Sequence, residues 1–282
     1  MKIITSINEM KEWSSQTFFK DKIIGFVPTM GSLHEGHLSL IKASIAECDA
    51  TVVSIFVNPS QFNPNEDFNS YPRNIELDKK ILHKIGIDVL FTPTQEDLYP
   101  NKYQTFVTVE KKTNYLCGAS RSGFFRGVTT IVLKLFNIIN PNIAYFGEKD
   151  WQQLEVVRTM THDLNMNISI VGKPIVRDKD GLAMSSRNGY LSEEDRSKAL
   201  SLSKALELAQ NLVIKGERSA ENIRTEIRKV IEQKQGTEID YISVCDPESF
   251  TEQTEIYSKV LVALAVKVGN TRLIDNRIIG NA

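Results

Sequence analysis

Five short apolar runs constrain this chain more than any other feature: IIGFV from Ile23, TVVSIFV from Thr51, IDVLF from Ile87, IAYF from Ile143 and ISIV from Ile168. None alternates polar with apolar residues, so each reads as a strand buried on both faces, as strands are in a parallel sheet. Amphipathic stretches separate them. Ile75, Asp78, Leu82 and Ile85 fall at helical spacing, as do Val128, Ile131, Leu135 and Ile138, and 150–164 is a third helical stretch. Strands alternating with helices predict a Rossmann-like, doubly wound α/β sheet with right-handed crossovers, whose ligands sit at the C-terminal ends of the strands.

After Val176 the texture changes. RDKDGLAMSSRNGYLSEED is polar, carries glycines at 181 and 189, and reads as an active loop and a domain boundary together. Ser192 with Asp195 resembles a capping box, Leu202, Leu206, Ala209 and Val213 continue one helical face, and a second helix is expected over 219–234. With the strand-like DYISV and VLVALAV, this predicts a smaller α+β domain over 177–282 following the Rossmann-like domain over 1–176. A length of 282 residues suits two domains of about 150 residues, each with its own core.

Composition narrows the function. Lys and Arg number 34 against 35 Asp and Glu, which gives no electrostatic case for nucleic-acid binding. Cys48, Cys117 and Cys245 lack the spacing of a disulfide framework or zinc site, in keeping with a reducing cytoplasm. MKIITSINEMKEW has no signal-peptide run, and no stretch approaches the roughly 20 apolar residues of a membrane span.

The chemistry concentrates at strand ends. In VPTMGSLHEGHLSL, Gly31 and Gly36 have the spacing of a phosphate-binding P-loop, but His37 and Leu38 stand where that loop needs Lys and Ser or Thr. The stretch predicts a strand ending near Thr29, a tight turn at Gly31 and a helix from His37 onward (Leu38, Ile41, Ile45), whose N-terminus binds phosphate through its unpaired amides without a lysine. His34 and His37, two of the four histidines, share one side of the first turn and can donate to phosphoryl oxygens. A lone histidine in a first turn is more often structural, but two of them bracketing a glycine at the mouth of a buried strand point to a functional role, and zinc lacks a third ligand nearby. Gln61 lies just past a core strand, where it can hold a hydroxyl or carboxylate, while Asn63 and Pro64 suit ordinary turn chemistry. In FGEKDWQQ, Gly147 ends a strand, and Glu148, Lys149 and Asp150 open a helix, either as a solvated charge cluster or with Lys149 as a point charge on phosphate or carboxylate. Gln153, four after Lys149, then faces the same way. Ser185, Ser186 and Arg187 sit either in a flexible linker or in a mobile loop that closes on anionic oxygens. No nucleophile elbow or paired carboxylates support a hydrolase.

Taken together and in this order, MGSLHEGH, VNPSQF, YPR, FGEKDWQQ and MSSRN resemble the pantothenate synthetase (pantoate–β-alanine ligase) family over nearly the whole chain. MGSLHEGH is similar to the HIGH motif of nucleotidylyl transferases and class I aminoacyl-tRNA synthetases, and MSSRN occupies the place of the synthetases' KMSKS loop. The resemblance implies ATP along Met30, Gly31, Ser32, Leu33, His34, Glu35, Gly36 and His37, along Gly147, Glu148, Lys149 and Asp150, and along Met184, Ser185, Ser186 and Arg187, with the Val176 backbone against adenine. It implies catalysis by His37, His34, Lys149 and Arg187, pantoate held by Gln61 and Gln153, β-alanine near Gln61, magnesium on the ATP phosphates, a second domain acting as a lid, and a homodimer. Where the family pattern leads us to expect RPGHFRGV, this chain reads RSGFFRGV from Arg121, so a histidine there has no role. A nucleotidylyl transferase, an aminoacyl-tRNA synthetase fragment and a nucleotide-sensing module are the competing readings. The first would lack a polar pocket for a branched hydroxy acid, the second needs a basic surface, and the third binds without turnover.

Overall fold

A computed structural model describes residues 1–16, 21–64 and 66–280. The chain forms two compact units, Met1–Glu110 with Arg121–Glu148 and Gln153–Pro174, and Lys111–Ser120 with Lys149–Gln152 and Ile175–Ala282. The second unit therefore takes up two short excursions from the first 174 residues, at 111–120 and 149–152.

In the first unit the elements are β1 (Lys2–Ile4), α1 (Ile7–Ser15), β2 (Ile24–Thr29), α2 (Glu35–Glu47), β3 (Ala50–Ile55), α3 (Ile75–Ile85), β4 (Val89–Phe91) and α4 (Gln95–Leu98). After α5 (Leu116–Ser120), which belongs to the second unit, come α6 (Phe124–Ile139), β5 (Ile143–Gly147), α7 (Trp151–Asp163) and β6 (Ser169–Lys173). The six strands are ordered β1-β4-β3-β2-β5-β6, and every pair is parallel. This is the doubly wound sheet expected. The chain moves outward from β2 through β3 to β4, then crosses back to lay β5 on the other side of β2. That reversal is the topological switch point, where loops diverge and leave a crevice.

The strands form where both faces are covered. Val27, Val53, Leu90 and Tyr145 are fully buried against Ile41 and Leu82 of the flanking helices. Each such aliphatic side chain contributes about 1.5–3 kcal/mol by leaving water, so a charge at Val53 would undo the sheet. β6 departs from the expectation. As an edge strand with one neighbour, it is exposed at Ser169 and only part-buried beyond. β1, three residues long, is too short to announce itself by periodicity.

The second unit contains α8 (Glu193–Ile214), α9 (Ala220–Glu232) and the antiparallel strands β7 (Thr237–Cys245), β8 (Val260–Val268) and β9 (Thr271–Ile279), in the order β7-β8-β9. Ser192 caps α8 by accepting from the Asp195 amide at 3.1 Å. Leu202, Leu206, Ala209 and Val213 face Ile223, Ile227 and Ile231 of α9 and the apolar face of β8 in one core. Two layers, helices on one antiparallel sheet, make the smaller α+β unit.

Candidate active site

The C-terminal ends of β3, β2 and β5 lie side by side, and each feeds a chemistry-bearing loop. β2 ends at Thr29, whose hydroxyl donates to the Ser54 carbonyl at 2.8 Å and accepts from the Gly31 amide at 3.2 Å. Gly31 and Ser32 then take left-handed conformations, with φ of 82° and 52°. A side chain at Gly31 would bring its Cβ to 3.0 Å from a carboxylate oxygen of Asp78, so glycine is required by conformation and by space. The helix does not begin at His37. α2 starts at Glu35 with His34 as its N-cap, and the two imidazoles form a reciprocal box. His34 Nδ1 accepts from the Gly36 amide at 3.2 Å, and His37 Nδ1 accepts from the His34 amide at 3.4 Å. An Nδ1 that accepts carries no proton, so each neutral ring holds its proton on Nε2. The rings lie 4.1 Å apart between centroids. The structural and the donor readings of these histidines are therefore compatible: one nitrogen caps the helix, and the other is a donor at the positive end of α2.

After β3, Asn58 is fully buried and fixes the loop that carries Gln61. Its amide nitrogen donates to Gln61 Oε1 at 2.9 Å and to the Gly127 carbonyl at 3.1 Å, while its Oδ1 accepts from the Ser60 hydroxyl at 2.8 Å. With its oxygen engaged, Gln61 offers its NH₂ group, which suits a carboxylate. Gly127 of α6 makes this approach possible, since a Cβ there would lie 2.0 Å from the Ser60 carbonyl oxygen. Arg121 then clamps the loop: it grips Glu66 at 2.7 and 2.6 Å, donates to the Gln61 carbonyl at 3.1 Å, and lies over the Phe124 ring.

At β5 the expectation of one helix through Lys149 and Gln153 is corrected. Glu148–Asp150 is a 3₁₀ turn, and α7 begins at Trp151, so helical i,i+4 spacing does not relate Lys149 to Gln153. Gly147, Glu148, Gln61, Gln153 and residues 30–37 belong to the first unit, whereas Lys149, Asp150, Val176 and 184–187 belong to the second.

Within the second unit, the polar stretch after Val176 is a built structure and no free linker. The Met184 amide donates to the Val176 carbonyl at 3.0 Å and the Asp178 amide to the Leu182 carbonyl at 2.8 Å, closing a hairpin whose turn uses Gly181 at a φ of 94°. Leu182 and Ala183, 3% and 4% exposed, anchor it in the core. Ser185 caps the 3₁₀ helix Ser186–Tyr190 by accepting from the Arg187 amide at 3.3 Å, and Asn188 donates back to the Ala183 carbonyl at 3.0 Å. Two neighbours on β9 hold the rest. Asp275 receives both terminal nitrogens of Arg177, at 2.7 and 2.9 Å, and Asn276 donates to the Lys149 carbonyl at 2.8 Å. β9 is absent from the expectations above, although a buried Asp-Asn pair within an apolar LI–RII frame is its signal.

A family profile described as Pantoate-beta-alanine ligase matches residues 2–278. The chain belongs to that family. It is 53% identical over 280 residues to the pantothenate synthetase of Thermotoga petrophila, covering 99% of this chain and 100% of that one. The solved pantothenate synthetase of Thermus thermophilus superposes with a TM-score of 0.93 at 40% identity over 98% of this chain and 99% of that one. The pantoate–β-alanine ligase of Francisella tularensis, solved in complex with β,γ-ATP and β-alanine, superposes with a TM-score of 0.80 at 35% identity, over 99% and 97% of the two chains. Against this family background, Asn58, Asp78, Arg121, Glu66, Asp275 and Asn276 are the residues that sequence reasoning left unremarked as supports of the site.

Proposed function

We propose that this pantoate–β-alanine ligase family member joins pantoate to β-alanine at the expense of ATP, through a pantoyl adenylate. The observation that carries the assignment of residues is the pair of imidazoles at the mouth of β2 whose Nδ1 atoms accept backbone amides, which puts their protons on Nε2, with Gln61 presenting an NH₂ group from the turn after the neighbouring strand. A carboxylate resists amines because resonance and charge oppose the attack, so it must first acquire a leaving group. A pantoate carboxylate oxygen attacks the α-phosphorus of ATP and pyrophosphate departs. The β-alanine amine then attacks the acyl carbon and AMP departs.

Negative charge grows on the phosphoryl oxygens in the first step, and His34, His37, Lys149 and Arg187 are the donors we assign to it. Met30 to His37, Gly147 to Asp150, Val176 and Met184 to Arg187 line ATP in this reading. Gln61 and Gln153 hold pantoate, with Gln61 also next to β-alanine. Mg²⁺ commonly keeps waters and substrate phosphates as ligands, so in this reading the ATP phosphates would hold it. When bound, it offsets charge on the leaving pyrophosphate. The second unit serves as a lid that keeps the adenylate from water, and the protein works as a cytoplasmic homodimer. Light scattering of the purified chain checks the dimer.

Incubation with ATP, Mg²⁺ and pantoate should yield pyrophosphate up to one equivalent of enzyme, and adding β-alanine should bring continuous release of AMP. AMP release indifferent to pantoate and β-alanine would end the ligase reading.

A further inference from the structure

We propose that Asp78 is a positioning residue, an internal anion seated in the amide nest of the β2–α2 turn, where a phosphate sits in other glycine-rich turns, and that it thereby aims His34 and His37. The idea rests on the reaction proposed above. Asp78 is 2% exposed, and its two oxygens accept from the Ser32 and Leu33 amides, each at 2.9 Å. The successive left-handed residues Gly31 and Ser32 create this cup of amides, which in other proteins binds anions. α3 presents the carboxylate from below, anchored one turn later by the fully buried Leu82.

The consequence concerns what is left for the nucleotide. The Ser32 and Leu33 amides are taken by Asp78, the His34 amide by His37, and the Gly36 amide by His34. The turn that has the glycine spacing of a phosphate loop has spent those amides internally. Recognition passes to imidazole protons on Nε2, whose direction depends on the backbone that Asp78 fixes.

Removal of the carboxylate tests this. Asp78→Ala should lower kcat for pantoate-dependent pyrophosphate formation about 10²-fold with a smaller change in KM for ATP. Formate, which matches the group removed, should restore about tenfold or more of that loss in the variant and nothing in wild type, while chloride at equal ionic strength should not. Asp78→Asn keeps the shape but turns an NH₂ toward a backbone N–H, so its kcat should fall about tenfold while the chain stays folded. Imidazole ¹⁵N spectra give a reading independent of turnover: wild type should show His34 and His37 protonated on Nε2, and Asp78→Asn should lose that pattern. Wild-type kcat in Asp78→Asn, an unchanged tautomer pattern, or a folded Asp78→Ala that formate does not rescue would each overturn the proposal. A wild-type protein without pantoate-dependent pyrophosphate formation would instead sink the proposed reaction and leave the spectroscopic test standing.

Discussion

The turn at 30–34 and the hairpin at 176–184 both carry residues assigned to ATP, yet they are held by opposite means. In the first, backbone amides converge on a buried carboxylate and two imidazoles. In the second, guanidinium forks do the holding: Arg177 on Asp275, and Arg196 on Asp178 and Asp180. Amide nests fix backbone geometry and leave little freedom in the groups they aim. Ion pairs of graded exposure hold a segment in steps that can be weakened one by one. Chemistry at phosphorus demands the first kind of support, because misplacement by about 1 Å can cost 10²-fold in rate, whereas the closure over ATP that we propose for the hairpin tolerates the second.

The largest effect should come from the turn. His37→Ala removes a donor that we place on the transferring phosphoryl group, and loss of one such donor typically costs about 3 to 4 kcal/mol in the barrier. The pantoate-dependent rate should therefore fall by about 10²-fold or more. His34→Asn sharpens the point: asparagine is a good N-cap, so the urea midpoint should hold to within about 1 kcal/mol, while turnover falls because the Nε2 proton is gone. Full turnover in either variant would reduce these imidazoles to caps.

The next effect tests the hairpin. Arg177→Ala strands Asp275, which is 3% exposed, without its guanidinium partner. Breaking a buried pair on one side costs about 3 to 5 kcal/mol, and the partial exposure of Arg177 places this case nearer about 2 to 3. The urea midpoint should fall accordingly. An Arg177→Met, Asp275→Leu double variant should recover most of it, because the unpaired charge and not the missing bond carries the penalty. Equal loss in the double variant would mean that the fork itself supplies the stability.

Strands buried on both faces are legible in the sequence because burial forbids polar residues there. Each of the five apolar runs overlaps a strand; β6 differs only in burial, because its position at the sheet edge follows from topology and not from its own composition, and the other edge strand, β1, gives no run at all. The supports of the site are harder to read because each acts across a long stretch of sequence. Asp78 lies 46 residues from Ser32, and Asp275 lies 98 from Arg177. Asp78 nevertheless stands in plain view, as an acid at an apolar position of the Ile75, Leu82, Ile85 pattern. A carboxylate on a core-facing stripe must find donors, and that requirement is the signal the helical spacing alone does not use. The start of α2 is misplaced for a related reason: histidine is an uncommon cap, so its Nδ1 is not counted among the acceptors that open a helix.

The smallest effect concerns the outer fork. Arg196 grips Asp180 at 2.9 and 3.1 Å and Asp178 at 2.8 Å, with about a third of each pair open to solvent. Solvent screening limits such pairs to about 0.2 to 1 kcal/mol, so Arg196→Ala should barely move the urea midpoint at neutral pH. The hydrogen bond from Arg196 holds the Asp180 carboxyl below its ordinary pKa of 3.8, against a weaker opposing push from burial. A depressed carboxyl stabilises the fold above its unfolded-state pKa, and this contribution disappears as pH falls through the folded-state value. The difference between wild type and Arg196→Ala should therefore be constant from pH 7 to about 5 and should close as the pH drops below 3.8. It should also shrink in 1 M salt, where the screening length is about 3 Å. A gap that widens in acid would place the stabilising role of Arg196 elsewhere than on Asp180, and would make the outer fork resemble the inner one.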